Sequence, residues 1–158
     1  MKKILLTGMV AVMLFACKSK SATNTKVDRK SANMMKGEWV ISSVTFPGSD
    51  VIKVNAFNLA DSKCFEGSTW KLVPNNNKGE MALTKADCPS FSSPITWFLD
   101  KDGQFVLKVL NAGEKARKVR DGYVLPIANQ TESSFQLIDQ VIIGGKTTNI
   151  TYQFTKTN

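Results

Sequence analysis

From Ser68 onward the chain keeps a two-residue rhythm, and no other feature narrows its fold as much. Trp70 and Leu72 share one face of an extended segment, with Lys71 on the other. Met81 and Leu83 repeat the pattern, followed by Ile95, Trp97 and Leu99, and then by Phe105, Leu107 and Val109 with Lys108 opposite. Three further segments carry Tyr123, Leu125 and Ile127, then Phe135 and Leu137, then Ile150, Tyr152 and Phe154. Successive side chains of a strand point to opposite faces, so this alternation marks strands buried on one side. Turn formers separate them: Pro74 and three asparagines, Asp100-Lys101-Asp102-Gly103, Asn111-Ala112-Gly113, and Gly144-Gly145. Upstream, a β-branched and aromatic run from Trp39 to Phe46 reads as the first strand, and Pro47-Gly48 stops it. With about eight short strands, local connections and no strong helix, the predicted class is all-β, an antiparallel up-and-down β-barrel. Eight strands is also the number at which a closed barrel has room for packed side chains or for one small ligand. Pro126 lacks an N–H, which places its strand at an edge, a bulge or an irregular pairing.

The rhythm fails between residues 51 and 67. That stretch reads as a long connection with one helical turn over residues 56–61. A connection this long in a compact domain is often a lid or binding loop.

The N-terminus follows a different grammar. Lys2 and Lys3 precede an apolar run over residues 4–16, broken only by Thr7 and Gly8. The run is too short to cross ~30 Å of hydrocarbon as a helix, but it has the length of a signal-peptide core. It ends in Leu14-Phe15-Ala16-Cys17, which resembles the lipobox of bacterial lipoproteins, Phe15 being a mild departure. The resemblance implies a signal peptide over residues 1–16 and an acylated Cys17, palmitate included, as the first mature residue and the contact with the membrane. No Asp follows Cys17 and the segment after it has no acidic cluster. This resembles the default sorting of such proteins to the outer membrane, and the expected location is its periplasmic face. Residues 17–36, rich in Ser, Lys, Asn and Thr, read as a disordered tether, and residues 37–158 as the barrel domain.

The net charge of +8 belongs mostly to that tether. Lys18, Lys20, Lys26, Arg29, Lys30 and Lys36 stand there against Asp28 alone, while from Gly37 onward thirteen basic residues meet twelve acidic ones. The basicity suits a solvated linker or an anionic membrane surface, at about 1 kcal/mol per basic residue near it. A nucleic-acid partner is not expected. Export also bears on the remaining cysteines, Cys64 and Cys88. In an oxidising compartment they favour a disulfide worth about 3 kcal/mol over two free thiols.

Gly37-Glu38-Trp39, at the head of the first strand, resembles the Gly-x-Trp signature of lipocalins. Residues 34–154 are similar to the lipocalin-like domains of small bacterial lipoproteins. The likeness is carried by Lys63-Cys64-Phe65, Gly67-Ser68-Thr69-Trp70, Cys88-Pro89 ahead of Trp97, Asp121-Gly122-Tyr123 and the run from Phe135 to Asp139. The Thr-Asp-Tyr motif of larger lipocalins is absent. The late Arg that packs on the first-strand Trp has no clear counterpart, although Lys156 could serve. The resemblance implies a lipocalin-like barrel in which Gly37 and Trp39 are structural, Trp39 sealing one end.

The sequence holds no His, so it has no imidazole for a catalytic triad or a metal site, and no cofactor, metal or enzymatic activity is expected. Asp100 and Asp102 read as a plain turn. Asp139 falls on an inward face if no bulge intervenes, and would then need a partner such as Arg117 or Arg120. The inward set of Trp70, Leu72, Met81, Trp97, Phe105, Leu107, Tyr123, Phe135 and Tyr152, with Phe154, suits a cavity for a small hydrophobic ligand. The same residues suit a packed core. Two functions therefore stand at this stage. One is a tethered carrier of a small hydrophobic molecule; the other is a scaffold or envelope-enzyme inhibitor with a filled barrel and an unidentified envelope protein as partner.

Overall fold

A computed structural model describes residues 25–111, 113, 115–120 and 122–157. The expected signal peptide, Cys17 and the first part of the expected tether lie outside the described residues. Eleven strands run β1 (Gly37–Thr45), β2 (Asn55–Ala56), β3 (Ala60–Asp61), β4 (Thr69–Val73), β5 (Lys78–Leu83), β6 (Phe91–Leu99), β7 (Phe105–Val109), β8 (Tyr123–Leu125), β9 (Ile127–Ala128), β10 (Ser134–Ile143) and β11 (Lys146–Lys156). Among the described residues, nine of them form one antiparallel sheet in the order β8-β7-β6-β5-β4-β1-β11-β10-β9. Its outer members β8 and β9 are consecutive in the chain, separated only by Pro126. Pro126 cannot donate to a ladder, yet its carbonyl accepts from the Ile138 N–H at 3.0 Å. The two segments are thus the halves of one kinked stave, β8 paired to β7 and β9 paired to β10. The sheet closes on itself as the expected up-and-down barrel, with nine strand segments in place of eight.

Alternation puts the apolar residues inside, but β1 breaks phase. Trp39 and Ile41 face inward, a bulge falls between Ile41 and Ser43, and Val44 and Phe46 then take the inward positions. One extra residue shifts the side-chain phase by one face. In β10 the register against β11 is unbroken from Ser134 to Ile143, so Asp139 stays on the face of Phe135 and Leu137.

Two expectations about helix are corrected. Residues 25–36 fall within the disordered tether expected over residues 17–36, but α1 (Thr25–Met34) is helical and Met35 is fully buried. Arg29, Lys30, Ala32 and Met34 are good helix formers. Ala32 packs on the core, and the Met35 carbonyl accepts from the Trp39 indole N–H at 2.8 Å. A few apolar contacts suffice because the barrel end would otherwise expose Trp39. The helical turn expected over residues 56–61 is instead the small hairpin β2–β3. The turn follows it, as a 3-10 segment over Ser62–Phe65 capped by the Asp61 side chain.

Candidate functional site

The two ends of the barrel differ. At one end lie α1 and the hairpin turns after β4, β6 and β9. Here Trp39 packs edge-on to Phe135 at 4.7 Å, and the Lys156 ammonium sits 5.5 Å over the Trp39 ring. Gly37 has φ of +131°, a conformation side chains rarely adopt, and a Cβ there would crowd Lys156 at 3.3 Å.

The other end is covered by the lid over residues 46–68. Its base is fastened three ways. The Cys64–Cys88 disulfide ties it to the loop between β5 and β6. Lys85 bridges to Glu66 at 2.9 Å and donates to the Lys63 carbonyl at 2.9 Å. Trp70 donates to Ser68 Oγ, which donates to the Phe65 carbonyl at 2.6 Å. Burial pushes the Glu66 carboxyl up, but hydrogen bonds from Lys85, Lys63 and the Val44 N–H, with the Lys63 charge, outweigh it and bring it down to about 2.

The lid tip is the hairpin β2–β3. Phe57 and Asn58 form its turn, with φ of 52° and 54°, and the Leu59 N–H bonds the Ala56 carbonyl at 3.0 Å. Two consecutive positive φ values make a type I′ turn, which favours Asn and Gly. A Phe there costs roughly 1–2 kcal/mol of backbone strain. Burying its ring returns roughly 1.5–3 kcal/mol. The buried ring thus offsets the strain of the turn. The Phe57 ring projects into the mouth, 5.1 Å from Phe65, 5.0 Å from Tyr123 and 5.5 Å from Tyr152.

Beneath it the lumen is filled. Phe105, Leu107, Phe135 and Ile150 have no exposed surface, and Leu72, Met81, Trp97, Tyr152 and Phe154 have about 1%. The four with no exposed surface border no water-sized void, and the other five are almost wholly enclosed by neighbours. Trp97 stacks on Phe105 at 5.2 Å, Phe135 stacks on Phe154 at 4.5 Å, and Trp70 meets Phe154 edge-on at 5.4 Å. The inward set is thus brought together as a packed core, and only Tyr123 is half-buried at the mouth. Outside Phe57 lies a cleft of about 400 Å³, lined by Phe57, Leu59, Val109, Tyr123, Lys118 and Arg120, among others. Larger grooves, of about 500 and 610 Å³, run over the outer face of β4 and β5, flanked by the exposed side chains of Lys71 and Glu80.

Polar groups at this end are left without partners. Tyr152 Oη and Ser62 Oγ are buried with no hydrogen bond. Asp139 faces inward and half-buried, and burial raises its carboxyl above the usual range. It has no ion pair among the described residues, which corrects the expectation of Arg117 or Arg120 as its partner. Burial pushes the Tyr152 hydroxyl up, and the charges of Asp139 and Asp61 push it further. Asp61 is already engaged, accepting from the Val54 and Lys63 N–H groups. Asp100 is a turn residue, its Oδ1 accepting from the Asp102 and Gln104 N–H groups. Among the described residues no three Cys, Asp or Glu side chains come together to hold a metal ion, and no helix is long and apolar enough to cross a membrane.

Phe57 was not among the residues singled out from sequence. It lies where the alternation fails, and its only local mark is the Asn that follows it.

No family model matches the sequence, and no curated protein matches it. Among solved structures the chain is similar to bovine odorant-binding protein complexed with its natural ligand, at 14% identity over 79% of this chain and 72% of that one, with a TM-score of 0.45. It is similar to the odorant-binding protein from bovine nasal mucosa at 13% identity, over 79% and 72% of the two chains, with a TM-score of 0.46.

Proposed function

We propose that this is a lipid-anchored protein of the bacterial envelope, attached through Cys17, whose barrel is a non-enzymatic binding module for a small amphipathic molecule. The ligand is held at the mouth, under the lid, and not deep in the lumen. The observation that carries this reading is Phe57: an aromatic ring held in a strained turn, occupying the mouth above a filled core and beside a cleft of about 400 Å³. Strain of this kind persists where the surroundings enforce it and is common at ligand clamps. The anchor reading rests on the sequence before residue 25 and is supported by the charge at the α1 end. There a cleft is lined by Arg29, Lys30 and Lys156, with Glu132 as its acidic member. A basic surface beside the anchor suits anionic lipid, and it would turn the mouth away from the membrane, toward the periplasm.

Mass spectrometry of an organic extract tests the binding role. The full chain is purified in lipid nanodiscs and compared with Tyr123→Asp, checked for cooperative melting. A small molecule present at one per chain, and lost in the variant, supports the reading. Cys17→Ser should release the protein from membranes, and continued retention would defeat the anchor.

A second reading is favoured by the filled lumen: an interaction module that uses its loops against another envelope protein. Clean extracts from both chains would move the function there.

A further inference from the structure

We propose that the place Phe57 occupies is a site for an arylalkyl ammonium, a small molecule with one aromatic ring and one positive charge. This rests on the mouth-binding reading and names the class of its ligand.

The aromatic half follows from what the site now holds. Phe57 presents a phenyl ring to three others, edge-on to Phe65 and Tyr123 and tilted against Tyr152, all within 5.5 Å. A site that accommodates a phenyl ring on a lid tip accommodates one on a ligand once the tip withdraws. Withdrawal leaves the disulfide-tied base of the lid in place, because the tip makes a separate hairpin over residues 55–61.

The cationic half follows from the groups left over. Asp139 and Tyr152 are diagonal neighbours on the inner face of the β10–β11 ladder, where Leu137 opposes Tyr152 and Asp139 opposes Ile150. Such pairs stand about 7–8 Å apart at Cα, within reach of long side chains. Asp139 carries a carboxylate with no ion pair among the described residues, and Tyr152 carries a buried hydroxyl with no hydrogen bond. An ammonium between them would donate to both oxygens and gain the attraction of the surrounding ring faces. A hydroxyl head would donate to Asp139 but leave its charge unpaired, and an anionic head would be repelled by it. Lys118 and Arg120 at the rim repel a positive charge there, so the ammonium is the end that goes in.

The test uses the full chain in phosphatidylglycerol nanodiscs, with heats from empty discs subtracted. Isothermal titration is run with 2-phenylethylamine, with its neutral analogue 2-phenylethanol, and with the anion 3-phenylpropanoate. The amine should bind about ten- to a hundredfold more tightly than the alcohol, the worth of a hydrogen-bonded charge. Asp139→Asn should remove that advantage, bringing the amine's affinity down to that of the alcohol. Phe57→Gly, which suits the positive φ and removes the competing ring, should tighten both. Equal affinities for amine and alcohol, indifferent to Asp139→Asn, would overturn the ammonium class while leaving a mouth site for aromatic molecules. Tighter binding of the anion would overturn it in favour of Lys118 and Arg120. No binding of any probe to Phe57→Gly, with its thermal unfolding still cooperative, would overturn the mouth reading as well.

Discussion

The barrel is closed at both ends by an aromatic side chain, but the two closures are built differently. Trp39 sits on a regular strand, its indole N–H satisfied by Met35 and its face covered by Lys156. Gln130 donates to the Ser31 carbonyl and holds α1 against the same end. Phe57 sits on a turn whose φ values disfavour it, above a tyrosine hydroxyl and a carboxylate that nothing in the described chain answers. One end satisfies its groups and so contributes stability. The other leaves groups unsatisfied, and the disulfide and the Glu66 cluster hold the lid base while the tip carries the strain of the Phe57 turn. The difference shows that two aromatic closures of one barrel can differ in how well their surroundings satisfy them.

The asymmetry is measurable. Trp39→Ala should cost about 3–5 kcal/mol in chemical denaturation, as for other large aromatic residues removed from cores. A much smaller loss would mean that the α1 end is as loosely closed as the lid. Reducing the Cys64–Cys88 bridge, or Cys88→Ser, should cost about 3 kcal/mol. It should also raise amide exchange across the lid while the Trp39 end stays protected; uniform exchange would show that the bridge serves the whole barrel. Phe57→Gly should cost less, about 1–4 kcal/mol, because relief of the turn strain offsets part of the same loss of burial. A cost equal to that of Trp39→Ala would remove the distinction between the ends.

Two smaller effects depend on pH. Glu66 has a folded pKa of about 2, below the ordinary value of 4.5. Its contribution is present above about 4.5 and is lost as pH falls toward about 2. Lid-base exchange should rise over that window, and Glu66→Gln should flatten the rise. Asp139 has the opposite sign, its pKa being raised by burial. Its penalty is absent below the ordinary 3.8 and grows as pH climbs through the folded value. Asp139→Asn should therefore raise the melting temperature at neutral pH and not near pH 3. A loss of stability at neutral pH would mean that the carboxylate has a partner after all.

Much of the barrel was legible in the sequence. Trp70, Leu72, Met81, Trp97 and Phe105 could be assigned inward from spacing alone, because strand side chains alternate whatever their surroundings. Pro126 announced its irregular pairing because its missing N–H is a local property. The bulge after Ile41 was not legible, since Ile41-Ser42-Ser43-Val44 carries no residue that demands one. α1 was missed because its contribution is a few contacts with a barrel end that a local reading cannot place. The candidate site was half legible. Asp139 was placed on an inward face conditionally, and the unbroken β10–β11 register supplied the condition. Phe57 had no signal, since its turn favours Asn or Gly and only three distant rings reward an aromatic there.

The sequence by itself determined the all-β class, the meander order and the identity of the core, because alternation, turn residues and proline act within a few residues of chain. It also carries the anchor reading, in Leu14-Phe15-Ala16-Cys17. Only the tertiary structure decided whether the barrel is hollow. The same inward aromatics could line a cavity or fill one, and the choice depends on how tightly side chains from opposite staves meet. It also depends on a lid residue more than sixty positions from Tyr123, whose ring meets that of Tyr123 only when the barrel is closed.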